Sequence, residues 1–169
     1  ASNSTAVGVI SAMGMDLRST TLASQVCERR YQDLGTEIVF QWQNVARRGQ
    51  EGNERFSFQI RITKATGVIN VVYGNMTTIT NSTQRQPVVG LRGNANSDFN
   101  ARLLTTNNPD NNPSWAGPGG TTVATANTSS VLFQGPTTCI PASGLTYIWT
   151  PKLCSITPSG LNFSNVNTT

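Results

Sequence analysis

Glu37-Ile-Val-Phe-Gln-Trp-Gln-Asn44, Phe56-Ser-Phe-Gln-Ile-Arg-Ile-Thr63 and Val68-Ile-Asn-Val-Val-Tyr73 follow one another closely, and their patterning decides the fold. In the first segment Ile38, Phe40 and Trp42 share one face, with Val39, Gln41 and Gln43 on the other. In the second, Phe56, Phe58, Ile60 and Ile62 alternate with Ser57, Gln59, Arg61 and Thr63. Successive strand side chains point to opposite faces, so a period of two predicts strands with one buried and one wet face. The connection Arg47–Glu54 is polar and carries Gly49 and Gly52, so it is expected to be an exposed loop. Lys64-Ala-Thr-Gly67 supplies a glycine where a short hairpin needs positive φ. The three strands therefore read as an antiparallel meander.

Outward from this centre, further strands are expected at Ala6–Ser11, Glu28–Leu34, Pro87–Arg92, Thr121–Ala126, Val131–Gln134 and Leu145–Trp149. Gly74-Asn75 reads as a turn, and Met76–Thr80 as a weak strand after it. Asn107–Gly120, with Pro109, Pro113 and Pro118, is a long loop carrying Trp115, and Pro151 ends the last strand because proline cannot donate to a ladder. A helix needs a 3.6-residue period; the one candidate, Leu22–Tyr31, is short. About nine or ten short strands separated by turns predict an all-β, antiparallel two-sheet sandwich, jelly-roll-like, with long loops. It spans residues 1–154, leaving 155–169 as a linker or the start of a following module.

Composition agrees. Only 12% of the 169 residues are charged, well under the usual quarter, while Thr, Asn, Ser and Gly, the residues of strands and turns, are abundant. The net charge of +4 suggests a polyanion patch at Arg29-Arg30 and Arg47-Arg48. Glu28, Asp33, Glu51 and Glu54 lie among these arginines, and solvated strand ends are the favoured reading, so no nucleic-acid partner is expected. No apolar run approaches the roughly 20 residues of a membrane-spanning helix. Asn-x-Ser/Thr sequons begin at Asn3, Asn75, Asn81, Asn127, Asn162 and Asn167.

The absence of histidine removes every His-dependent triad and every imidazole metal site. Asp16, Glu28, Asp33, Glu37, Glu51 and Glu54 supply carboxylates, but at strand ends and in loops, where they serve as turn formers or Arg partners; no catalytic residue is assigned and no enzyme is expected. Asn94, Asn96 and Asp98 carry side-chain oxygens at every second position, the spacing of a calcium loop, against the alternative of an Asx-stabilised turn. Trp115, with Asp110 and Asn111 nearby in sequence, is a candidate sugar-stacking platform; the alternative is a ring that folds back and pins its loop. Cys139 and Cys154 bracket the last strand and are placed to close a disulfide worth roughly 3 kcal/mol in the chain-entropy model. Cys27 is then left buried and reduced, or paired outside this chain.

Several motifs carry a resemblance. Phe40-Gln-Trp-Gln-Asn-Val45, Phe58-Gln-Ile-Arg61, Gly67-Val-Ile-Asn70, Val72-Tyr-Gly74, Val89-Gly-Leu-Arg-Gly93, Asp98-Phe-Asn100 and Pro141–Pro151 follow in series. Together they resemble the N-terminal β-sandwich domain of large surface proteins of Bacteroidota exported by the type IX secretion system. The resemblance implies a secreted or cell-surface location and a piece of a larger polypeptide lacking its first strands. It also implies a non-catalytic structural or adhesive role. The alternative role is an accessory, carbohydrate-binding domain of a secreted hydrolase. Expected partners are other domains of the same polypeptide, surface glycans or proteins, and the secretion machinery.

Overall fold

The computed structural model describes residues 7–22, 25–78, 85–95, 97–103, 115–116, 133 and 139–151. The strands among them are β1 (Val9–Gly14), β2 (Leu17–Ser19), β3 (Glu28–Asp33), β4 (Glu37–Arg47), β5 (Glu54–Thr63), β6 (Ile69–Thr78), β7 (Val88–Arg92), β8 (Phe99–Ala101) and β9 (Thr146–Trp149). No helix occurs among the described residues, so none there is long and apolar enough to cross a membrane. The strands make two antiparallel sheets. The smaller has the order β1-β7-β8; the larger runs β2-β4-β5-β6-β9, with β3 also on β4. β2 pairs with the Val45–Arg47 end of β4 and β3 with its Ile38–Gln43 stretch, so the two share one edge of that long strand.

The predicted meander is β4-β5-β6, turned between its last two strands at Gly67, whose φ is 67°. Alternation on β5 is unbroken: Glu54, Phe56, Phe58 and Ile60 are buried and the residues between them half-buried. Phe56, Phe58, Ile60, Val71 and Tyr73 face Ala12, Met13 and Val89 of the smaller sheet, forming one core. Burial of each such aromatic or branched side chain contributes about 1.5–3 kcal/mol. Two polar contacts tie the sheets together across this core. The Tyr73 hydroxyl donates to the Ala12 carbonyl at 2.7 Å, and the Trp149 indole donates to Asn100 through its carbonyl (3.2 Å) and Oδ1 (3.0 Å).

Three expectations need correction. Val39, placed on the wet face, is buried, because the stems of Arg30, Gln32, Gln41, Gln59 and Arg61 surround it on that face. Gly74-Asn75 is not a turn; β6 runs through it to Thr78, with a register irregularity there. The segment Arg47–Glu54 is not wholly exposed. Its end residues close a tight turn from inside the fold, Arg47 at 4% exposure and Glu54 at 1%. Arg47 Nε lies 2.9 and 2.8 Å from the two oxygens of Glu54, and the guanidinium stands 5.4 Å over the Phe133 ring.

β2 and β8, three residues each, went unrecognised because so short a run carries no periodicity. Thr121–Ala126 lies outside the described residues, as do Val131–Gln134 apart from Phe133, Asn107–Gly120 apart from Trp115 and Ala116, and 155–169. Phe133 forms an isolated antiparallel bridge to Arg85.

The buried phenols predict alkaline lability. Burial pushes the Tyr147 hydroxyl from 10.0 up to about 12, partly opposed by Arg102, and burial raises Tyr73 well above its ordinary value. The folded state thus holds these protons more tightly than the unfolded state. Their contribution is fully present below pH 10 and is lost as pH rises through about 12 for Tyr147. Urea-unfolding free energies measured at steps across that window are expected to fall, and to fall less steeply in Tyr147→Phe; an unchanged slope in the variant contradicts the assignment.

Candidate functional site

The most unusual backbone in the larger sheet surrounds Ser57. On one side, Trp42 pairs with Phe58 and Val45 with Phe56, so Gln43 and Asn44 together oppose Ser57. On the other, Phe58 pairs with Tyr73 and Phe56 with Met76, so Gly74 and Asn75 together oppose the same serine. Two β-bulges therefore flank one residue of the central strand. A bulge inserts a residue, bends its strand and re-aims the side chains beside it.

Local chemistry makes this possible. Asn44 takes φ 54°, a left-handed conformation that asparagine tolerates better than most residues. Its backbone N–H donates to the Ser57 hydroxyl at 3.1 Å, and its side-chain amide donates to the Val26 carbonyl at 2.9 Å. Across β5, a Cβ on Gly74 would come within 3.2 Å of the Ser57 carbonyl oxygen, a tight approach that glycine makes without displacing its neighbour.

The two bulges open a groove of about 480 Å³ on the outer face of the sheet, over Ser57. Its polar lining comes from Gln25, Gln41, Gln43, Asn44, Ser57, Gln59 and Asn75, and no charged residue contributes to it. A hydrogen-bonded ladder orders three of these amides. Glu37 pairs with Arg61, whose Nε lies 3.0 Å from Glu37 Oε2. Arg61 donates to Gln59 Oε1 (3.1 Å), Gln59 Nε2 to Gln41 Oε1 (2.6 Å), and Gln41 Nε2 to Gln43 Oε1 (3.0 Å). Each donor polarises the next, and the row ends with the Gln43 amide N–H groups at the groove. The side chains lining the groove are neutral across the ordinary pH range. Such a surface offers donors and acceptors in fixed positions and suits a neutral ligand rich in hydroxyls or amides.

The residues singled out from sequence lie elsewhere. Trp115 is 1% exposed; its indole donates to the Cys139 carbonyl at 3.1 Å, its carbonyl accepts from Tyr147 at 2.7 Å, and its ring meets Tyr73 edge-on. A ring so enclosed presents no face for a sugar to stack on, so it is the packing alternative that describes Trp115. Asp110 and Asn111 lie outside the described residues. Asp98 Oδ2 accepts from the Asn94 N–H at 3.3 Å and the Asp98 carbonyl accepts from Gly93 at 2.9 Å, so Asp98 bonds back to the start of its own turn, while Asn96 lies outside the described residues. Among the described residues no three His, Cys, Asp or Glu side chains gather to hold a metal ion. Cys139 is buried and its expected partner Cys154 lies outside the described residues; Cys27 is half-buried against the core as an unpaired thiol.

Five of the six candidate acids are held by bases: Glu28 by Arg30 (2.6 Å), Asp33 by Lys64 (2.7 Å), Asp16 by Arg48 (3.6 Å), besides Glu54 by Arg47 and Glu37 by Arg61. The candidate polyanion patch is thereby largely neutralised at Arg30, Arg47 and Arg48. Of the sequons, only that of Asn75 lies in a described strand, with the Thr77 hydroxyl donating to Asn75 Oδ1 at 2.8 Å on the groove rim. Sequence reading missed the groove. The signal available was the change of parity, Phe40-x-Trp42 to Val45 and Val71-x-Tyr73 to Met76, at matching positions of neighbouring strands.

Fold and groove together define a two-sheet β module with an uncharged concavity on one outer face, its amides set beside Trp42, Phe58 and Val72. The chain belongs to the family described as NIDO related, whose model matches residues 2–151. Domains of this family are typically extracellular. No curated protein and no solved structure is significantly similar to the chain.

Proposed function

We infer that this domain is a non-catalytic recognition module of a secreted or cell-surface protein, adhesive in role, with the groove over Ser57 as its binding surface. The observation that carries this reading is the pair of bulges opposing one serine, which holds Gln43, Asn44 and Asn75 around an amide-lined hollow. Its ligand is a neutral glycan or another hydroxyl-rich chain. Membership of an extracellular-type family supports the setting.

A glycan array probed with the wild-type domain and with Gln43→Ala/Gln59→Ala tests it. Each amide hydrogen bond contributes about 0.5–1.5 kcal/mol, so removing both side chains is expected to weaken binding by about tenfold or more. No signal above background for the wild type rejects the reading. Accessory attachment to a secreted hydrolase is the second reading, with the same groove guiding a catalytic domain to its polymer; the parent polypeptide's sequence decides between the two. The export route proposed is the type IX system, supported by the sequence resemblance, and a C-terminal sorting domain in the parent polypeptide is its expected mark.

A further inference from the structure

β3 is an edge strand with an unusual surface. Among the described residues it pairs with β4 alone, and Arg29 to Asp33 are all exposed. Tyr31 is 62% exposed although its ring lies 5.4 Å from that of Phe40. Val26 at 66% and Leu34 at 48% flank it, so among the described residues most of the exposed large apolar side chains gather along this one edge. The hydrogen-bond phase of the strand follows from its neighbours. Leu34 N–H donates to the Glu37 carbonyl at 2.9 Å, one step beyond the Asp33–Ile38 pair. Bonded and non-bonded pairs alternate in an antiparallel ladder. Gln32, Arg30 and Glu28 therefore bond to β4, while Arg29, Tyr31 and Asp33 turn their backbone N–H and C=O groups outward.

We propose that this edge is a pairing surface for a second copy of the chain, β3 against β3, antiparallel about a two-fold axis through Tyr31. Three features of the strand agree with that axis. With Tyr31 opposite the second copy's Tyr31, Arg29 falls opposite the second copy's Asp33, and Asp33 opposite the second copy's Arg29. Every one of these positions has its backbone groups facing outward, so the three pairs are the hydrogen-bonded ones. The side chains of Arg29, Tyr31 and Asp33 also share one face, the face on which Tyr31 meets Phe40, so opposite charges and the two phenol rings meet on the same side. Among the described residues Arg29 has no ion-pair partner, whereas the pairing supplies one; Asp33 already holds Lys64 at 2.7 Å, so across the axis its carboxylate is shared between two cations.

Edge strands are commonly guarded by charges that repel a second strand. The order Arg29, Tyr31, Asp33 does the opposite, because a two-fold axis turns its two signs into two attractions. Another extended peptide would use the same backbone groups but would not require this palindromic charge order. A single six-residue strand gives an interface at the small end of the stable range, so the association is weak and concentration-dependent.

Sedimentation of the folded domain over rising concentration tests the proposal. The wild-type mass is expected to climb toward twice the monomer value. Arg29→Asp places two acids opposite each other, Asp33→Arg places two bases, and each is expected to hold the mass at that of the monomer. The double variant Arg29→Asp/Asp33→Arg restores the opposition of signs and is expected to restore the climb. Circular dichroism matching the wild type confirms that each variant is folded. A wild type that stays monomeric at its highest soluble concentration overturns the proposal. So does assembly that survives both single reversals, or a folded double variant that stays monomeric.

Discussion

Glu54→Ala is expected to lower the stability of the domain by about 3–5 kcal/mol, because it leaves the Arg47 guanidinium charged and buried without its carboxylate. The geometry is why the effect is large. Glu54 receives the Arg47 guanidinium and also the Arg47 backbone N–H at 3.3 Å, all inside the fold under Phe133. A domain of this size has about 5–15 kcal/mol in total, so the variant will stand near the edge of unfolding. Replacing both partners, Arg47→Met with Glu54→Leu, removes the buried charge together with its carboxylate and is expected to recover most of the loss. Asp16→Ala, at an exposed pair with Arg48, should leave the urea midpoint close to wild type. Chemical denaturation of the four proteins side by side checks the series. A Glu54→Ala midpoint within error of Asp16→Ala would show that the buried pair contributes nothing of its own.

Gly90→Ala should be comparably damaging for a different reason. Gly90 sits in β7 between Ser11 and Ala101, with φ at 145°, where side chains are rarely tolerated. A Cβ there would lie 2.4 Å from the Ala101 Cα and 2.5 Å from the Asn100 carbonyl oxygen, both backbone atoms that cannot step aside. Strain of about 1–3 kcal/mol adds to an overpacking cost of about 1–3 kcal/mol, and β7 must part from β8 to relieve it. Gly35→Ala separates the two contributions. Its φ is 83°, but nothing lies within 4 Å of its added Cβ, so it should lose only about 1 kcal/mol. Thermal unfolding of the pair is the check, and equal losses at both sites would refute the role given to the clash.

The meander was legible because β5 keeps its parity from Glu54 to Ile62, and hydrophobic alternation over such a length has one interpretation. The existence of two sheets followed from strand number. Legibility failed where parity changed. Gly74-Asn75 carries turn chemistry and ends one alternating run before another begins, and a single strand cannot be told from two when the partner that bridges the gap is distant in sequence. The groove was hidden for the same reason, since it exists only where two such irregularities meet beside Ser57. Trp115 misled in the opposite direction. Its loop composition pointed to solvent, while its burial depends on Tyr73, Cys139 and Tyr147, at sequence separations no local pattern encodes.

The twin bulges also bear on how the chain finds its native alignment. Antiparallel strands of plain alternating sequence can slide by two residues and still keep their apolar face inward, whereas a slip by one turns every side chain over. Here β4 and β6 each carry an extra residue at the level of Ser57, where Gly74 lets the two backbones approach closely. A two-residue slide of either neighbour would set its bulge against Gln59 or Arg55 and lose the Asn44 bond to the hydroxyl. Ser57 thus acts as a notch into which both neighbours must click, and the alignment of the whole meander is decided at one small, half-buried residue.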